Sequence, residues 1–468
     1  MRTRQAAAAL FLVTSACSLL KGGPPPRPPL GDEAEVHLYL LPLPRDAERL
    51  SFTLQAVTIR RMDGAEVPLE VKLNNVAGGC RPGDQRLLAE GRVPPGEYTA
   101  VELRSSSAAL LGDGDLSRLL VDPDPVRAPL PFRVAPGRAA VVWLALEPGA
   151  VSGEVSFAPR FSATLPPQTP PRAALYSTGA GSLSVVAVDR GAREVTGVIP
   201  VPGTPRGIAL DIDRARAYVA LEREDRIEVV DVAVGVPAGN IQLSPGDGPG
   251  DLALASDGTL VVANQRSRSV AFVDPLAMAE VGRVPVGDEP TSLILDRAGR
   301  RAFVANRRSA SITELDVGNR AVLATATTDP EPLRVALSRD GSLLYVVHRG
   351  SQYVATYAVP SLALQARTFF GLGATTIRVD PRTELLYVSR GAERRIAVLD
   401  PIALQQIDSI DVPGAVSYMA IDDAENTLLA LVPERASIVI LDLTSRRRIA
   451  EIPVGVSPYT FAFFGERL

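Results

Sequence analysis

Residues 290–332 read PTSLILDRAGRRAFVANRRSASITELDVGNRAVLATATTDPEP, and the same grammar recurs along the second part of the chain. A proline opens an alternating apolar run, Phe303-Val304-Ala305-Asn306 closes a second, and Asp316 ends a third. Counterparts of the second run are Val261-Val262-Ala263-Asn264, Tyr345-Val346-Val347-His348 and Tyr387-Val388-Ser389-Arg390, with weaker copies at 176–179, 218–221 and 429–432. The run after it ends at Asp189, Asp231, Asp274, Asp316, Tyr357, Asp400 and Asp442, in steps of 41 to 43 residues. The opening anchor falls at Pro205, Pro249, Pro290, Pro332, Ala374, Val416 and Pro458, in steps of 41 to 44. Three markers hold one register over seven copies, which chance does not produce.

A unit of ~40–45 residues made of short β runs and tight turns cannot bury its apolar faces alone, and it is the signature of a propeller blade. Asp257-Gly258 and Asp340-Gly341 fit hairpins between the first two strands of a blade. The Asp anchors that precede prolines, Asp274-Pro275 and Asp400-Pro401, read as turn formers. The first marked unit lacks a proline-led strand, while Pro458 leads a strand with no unit after it. Joining the two completes one blade and removes the open edges of the ring. The expectation is an all-β chain: a seven-bladed β-propeller over 173–468, closed by the C-terminal strand. The Val-Ala-Asn copies resemble the YVTN β-propeller repeat family, a likeness that covers about three-fifths of the chain. Lactonase-type propellers share this blade plan.

Before the repeats, alternating stretches at 36–41, 52–59, 67–71, 98–103, 132–134 and 141–146 are separated by turn clusters such as Pro94-Pro95-Gly96. With hardly any helical period, they predict a small β-sandwich over 35–158. The run Pro95-Gly96-Glu97-Tyr98-Thr99 resembles extracytoplasmic sandwich domains of bacterial lipoproteins. A Pro-rich stretch, 159–172, reads as the linker to the propeller.

The opening residues pair basic Arg2 and Arg4 with a short apolar run and then Thr14-Ser15-Ala16-Cys17, the pattern of an export signal over 1–16. Small residues before a cysteine resemble the bacterial lipobox, which implies a lipidated Cys17. Ordinary cleavage after Ala16 is the alternative. Residues 17–34 carry five prolines and three glycines and read as an extended tether. Ser18 after the cysteine is similar to proteins sorted to the outer membrane. The expected partners are therefore a membrane, through the N-terminal lipid, and an envelope protein or polymer. If Cys17 is acylated, Cys80 has no disulfide partner.

Composition narrows the chemistry. The 468 residues carry 49 Lys plus Arg against 53 Asp plus Glu, a net charge of −4 that argues against nucleic-acid binding by phosphate neutralisation. Two Cys and two His, all far apart in sequence, do not make a zinc, haem or iron–sulfur site, and no motif asks for a cofactor. No G-x-S-x-G elbow supports a Ser–His–Asp arrangement.

Candidate ligand-binding residues come from one position of the repeat, where Asn264, Asn306, His348 and Arg390 end the second strand of consecutive blades. The asparagines also suit a purely local turn role. His348 and Arg390 break the repeat, which makes them better candidates. The set His348, Arg349 and Arg378 is what a lactonase-like hydrolase would use at the channel mouth. Loops after the second strands of blades three to six carry Arg266, Arg268, Arg307, Arg308, Arg349, Arg390, Arg394 and Arg395. Connections on the same face carry Asp247, Asp251, Asp288, Glu289, Asp329 and Glu331, so a self-compensating surface is expected. The functional expectation is a cell-envelope lipoprotein whose propeller is a non-catalytic binding platform. The alternatives are the lactonase-like hydrolase and a structural spacer.

Overall fold

The computed structural model describes residues 27–78, 84–111, 116–152 and 155–465. The expected export signal, Cys17 and Cys80 lie outside the described residues. From Ala174 onwards the chain forms seven four-stranded antiparallel sheets, the blades. Six are built in simple chain order, as in blade 4: Pro290–Leu295, Arg301–Asn306, Ser311–Asp316 and Ala321–Thr327. The second and third strands lie between neighbouring blades, so they read as nearly continuous apolar runs: every residue of Leu260–Asn264 is buried. The fourth strands form the rim, and all but one residue of Ala363–Phe369 is exposed. Each interblade layer is its own apolar cluster: Ala253, Val261 and Phe272 of blade 3, for example, pack on Leu293 and Val304 of blade 4.

Blade 1 differs in origin. Its three outer strands, Ala174–Gly179, Ser184–Asp189 and Glu194–Pro200, take their innermost partner from Pro458–Phe463. Leu175 pairs with Phe463 and Ser177 with Phe461, antiparallel. The Ser177 hydroxyl donates to the Thr460 carbonyl at 3.2 Å. Phe461 is fully buried and meets Tyr418 of blade 7 edge-on, ring centroids 5.1 Å apart. The expected closure by the last strand is the observed one.

A repeated irregularity shapes the ring's interior. Between Pro249 and Asp251, Pro290 and Ser292, Pro332 and Arg334, and Ala374 and Thr376, the first strand holds one residue more than its partner. Such a bulge re-aims the side chains that follow it. Because side chains alternate along a strand, the second and fourth residues after the anchor then share one face of the inner strand.

The N-terminal unit is a curled twelve-stranded sheet that folds over one core of Phe52, Tyr98, Phe132, Phe157 and Phe161, a sandwich in form. Its sheet takes in Phe161–Thr164, inside the Pro-rich stretch, where Phe161 and Ala163 face the core and the strand pairs with Ala139–Leu146. The unit sits on blades 1 and 7. Tyr39, Val141 and Trp143 join the cluster of Val195, Val198, Ala450 and Ile452. Trp143 Nε1 donates to the Val195 carbonyl at 2.8 Å, the Val195 amide donates to Gln85 Oε1 at 2.7 Å, and the Glu451 amide donates to Asp84 Oδ1 at 3.0 Å.

Inside this unit His37 lies between two carboxylates, with Nδ1 3.2 Å from Glu90 and Nε2 3.4 Å from Glu35. Burial lowers the imidazole pKa, but Glu35 and Glu90 more than offset it and raise it to about 9. Burial likewise raises Glu90, and His37 with Lys72 overrides it, holding the carboxyl at about 2. The raised His37 contributes stability that is complete below its unfolded pKa near 6.5 and lost as pH rises through 9; the depressed Glu90 contributes above ~4.5 and loses it as pH falls through 2. Urea unfolding of wild type and His37→Gln should therefore differ most between about pH 4.5 and 6.5, by roughly 3 kcal/mol, and the gap should close above pH 9. A gap independent of pH from 6 to 10 would contradict the ion-pair assignment.

Candidate functional site

The residues nominated by the repeat do not form one site. Asn264, Asn306 and His348 are fully buried at the ends of second strands. Asn264 Nδ2 donates to Ser269 Oγ at 3.3 Å, and Asn306 Nδ2 donates to Ser311 Oγ at 3.1 Å and Thr313 Oγ1 at 2.9 Å. His348 Nδ1 lies 3.3 Å from the Tyr353 carbonyl and Nε2 lies 2.7 Å from Thr328 Oγ1. A carbonyl only accepts, so the neutral ring carries its proton on Nδ1, and Nε2 accepts from the threonine. Burial lowers the His348 pKa, which favours that neutral form. Arg390 is half-buried, paired with Glu393 at 2.7 Å and stacked over Phe370 at 4.8 Å. Arg349 is exposed. Arg378 stands apart from them: Ala374 pairs with Arg390 in blade 6, and Arg378 lies four residues further along that inner strand, roughly 13 Å away. His348, Arg349 and Arg378 are therefore not brought together.

The charged face compensates itself in detail. Arg266 meets Asp225 at 3.0 Å, Arg268 meets Asp288 at 2.7 Å, and Arg307 pairs with Glu289. Asp247 and Asp329 are taken by arginines of the rim strands, Arg283 at 2.6 Å and Arg367 at 2.7 Å. Asp251 is the exception. It is not on this face but in the central channel, because the bulge after Pro249 turns it inwards.

The channel holds a cavity of about 210 Å³, lined by the inner strands of all seven blades. The second residue after each anchor gives, from blade 2 onwards, Gly207, Asp251, Ser292, Arg334, Thr376, Tyr418 and Thr460. The fourth gives Ala209, Ala253, Ile294, Ala336, Arg378, Ala420 and Ala462. Small residues keep the channel open. Gly207 is needed as such, since a Cβ there would sit 2.7 Å from the Gly250 carbonyl oxygen. Against this background stand one acid, two arginines and one tyrosine. Asp251 Oδ1 accepts from the Leu252 amide at 3.1 Å, Oδ2 accepts from the Leu293 amide at 3.0 Å, and Arg334 Nη1 lies 3.4 Å from Oδ2. Burial raises the Asp251 pKa, and Arg334 with the two amides offsets only part of that. Arg378 Nε donates to the Met419 carbonyl at 2.6 Å. Both guanidinium groups lie over Tyr418, at 5.3 Å for Arg334 and 4.9 Å for Arg378.

Below this cavity a groove of about 870 Å³ runs along the first hairpins of blades 4 and 5. The two spaces share Leu254, Ile294 and Arg378, so Arg378 stands at the boundary between them. Of the four charged and aromatic channel residues, sequence reasoning found Arg378 alone. Aligning the seven units on their anchors and reading the second and fourth columns would have found the rest.

No family model matches the chain, and no curated protein matches it in sequence. Among solved structures, hydrazine synthase from Kuenenia stuttgartiensis is similar with a TM-score of 0.53 and 17% identity, over 59% of this chain and 94% of that one. Dihydro-heme d1 dehydrogenase NirN, in complex with DHE, is similar with a TM-score of 0.50 and 13% identity, over 62% and 75% of the two chains. At such identities the likeness is one of fold. The propeller is an architecture that serves binding or catalysis alike.

Two substitutions separate a packing role from a ligand role. His348→Ala should cost about 2–4 kcal/mol in urea unfolding, because it leaves a cavity and strands Thr328 and the Tyr353 carbonyl. Arg349→Ala should stay within about 0.5 kcal/mol of wild type. The reverse order would contradict the enclosed role of His348.

Proposed function

We propose that this is an exported, lipid-anchored protein of the cell envelope whose propeller is a non-catalytic binding platform for an envelope protein or polymer. The observation that supports the reading best is His348. It is the one histidine of the propeller, and it is enclosed with both ring nitrogens engaged. A hydrolase built on His348, Arg349 and Arg378 would need that ring to reach substrate as a base. The docked small domain also favours a platform: Trp143, Gln85 and Asp84 bond it to blades 1 and 7. Residues 27–34, expected as the end of the tether, are instead held to it by the Arg27–Glu35, Arg27–Glu90 and Arg92–Glu33 ion pairs, so a tether before Arg27 would carry one stiff body. The likeness of the Val-Ala-Asn copies to YVTN repeats, and of Thr14-Ser15-Ala16-Cys17 to a lipobox, belongs to the same reading.

Expression in a lipoprotein-competent bacterium, followed by membrane fractionation and intact mass, tests the anchor. The expected result is an acylated Cys17 in the membrane fraction, with Cys17→Ala shifting the protein to the soluble fraction. An unmodified, soluble wild-type chain overturns the anchored reading. Turnover across a panel of lactones, at rates that scale with purified protein, overturns the non-catalytic one.

A further inference from the structure

We propose that the outer edge of blade 4 pairs with the same edge of a second copy of this chain, joining two four-stranded blades into one sheet across a two-fold axis. The proposal goes beyond the platform reading and is independent of the anchor and of catalysis.

The rim strand of blade 4 departs from the other six. A propeller leaves one open edge per blade, at the fourth strand, and such an edge invites pairing unless something blunts it. On six rims a charge or a proline does so: Glu194, Pro237, Arg283, Arg367, Asp408 and Glu451 each stand within the strand. Ala321–Thr327 reads Ala-Val-Leu-Ala-Thr-Ala-Thr and holds no charged residue, proline or glycine. Val322 and Leu323 on it are 42% and 48% exposed. A bulge opposite Leu315 leaves Leu323 unpaired, but every blade has a bulge between its third and fourth strands. The regular stretch after it, 324–327, is not protected by it.

The backbone decides which groups are on offer. The Thr328 amide donates to the Ala310 carbonyl at 2.8 Å, and Ala326 and Ala324 lie opposite Ile312 and Glu314. Antiparallel pairs alternate between bonded and non-bonded, so the amides and carbonyls of Thr325 and Thr327 point away from the blade. The Thr327 carbonyl accepts from the Tyr357 hydroxyl at 3.0 Å, which leaves Thr325 as the centre of the open stretch.

Charge and position select the occupant. An uncharged edge pairs without burying a charge only against another uncharged strand. The other uncharged rim, Val236–Gln242, is broken by Pro237 and Gly239, so the match is the blade 4 rim of a second copy. Antiparallel pairing about Thr325 is self-complementary: each Thr325 amide donates to the Thr325 carbonyl of the other copy, and the two threonine side chains lie opposite each other. A contact of this symmetry closes at two chains. Blade 4 stands across the ring from the seam of blades 1 and 7, where the small domain is docked, so two copies can meet with those domains on the far sides.

The test is analytical ultracentrifugation of the full chain carrying Cys17→Ala, which removes acylation, under a reducing agent that prevents a Cys80 disulfide. Two short strands bury little area, so the expected result is a reversible monomer–dimer equilibrium across a hundredfold concentration range. Thr325→Lys sets like charges opposite each other, and Thr325→Pro removes the outward amide while sparing the ladder within the blade. Each should raise the dissociation constant at least tenfold, whereas Gln365→Lys on the blade 5 rim should leave it unchanged. Hydrogen exchange on the unsubstituted rim carries the test if the Thr325 variants fail to fold: the amides of Thr325 and Thr327 should slow as protein concentration rises. A monomer at every concentration, assembly beyond two chains, or undiminished association in folded Thr325 variants each overturns the proposal. Protection of these amides that appears only on adding an envelope extract assigns the edge to a different protein and overturns it as well.

Discussion

The pairing of Pro458–Phe463 with Ala174–Gly179 is the constraint on which the rest depends. It joins residues separated by more than 280 positions, as in the Ser177–Thr460 bond, and leaves no blade with an open inner edge. Bringing such distant segments together costs chain entropy that grows only slowly with the length of the loop. The return comes from Phe461 and Phe463, buried between blades 7 and 1 with Tyr418. The small domain packs beside that seam, on the rim strands of blades 1 and 7, so the place where the ring could open is also where the second domain is docked.

A closed ring fixes the distance between inner strands, and with it the channel. Seven inner strands, those of blades 3 to 6 bulged just after the anchor, present two columns of side chains, mostly small, around a narrow space. Within that space Asp251, Arg334, Arg378 and Tyr418 are placed by four different blades, and the Arg334–Asp251 contact spans blades 5 and 3. On the outer faces charge is handled differently. There many of the arginines are paired with acids of neighbouring loops and rim strands, pairs that contribute little singly.

The fold was legible because its information is redundant: seven copies carry the same anchors, and the copy split between the two ends of the repeat array declares the closure. The channel site was not, because it is read across blades and not along the chain. Asp251 looked like one more acid of a surface connection until the bulge after Pro249 turned it inwards. His348 was conspicuous as a departure from the repeat, yet Thr328 and Tyr353 absorb the departure locally. In the small domain, Glu35 and His37 lie two apart on one strand face, a visible hint of a buried ion pair, but the partner Glu90 comes from a strand 53 residues on and only pairing reveals it. Phe161–Thr164 read as linker because prolines surround it, although its alternate residues are apolar and complete the sheet.

Native-state hydrogen exchange of the amides in 174–179 and 458–463 tests the central claim, that one strand pairing holds the ring and its channel together. If it does, these amides exchange only through global unfolding, with the same free energy as the inner strands of blades 2 to 7. Exchange at these two strands through a smaller, local opening, while the other inner strands stay protected, would contradict it.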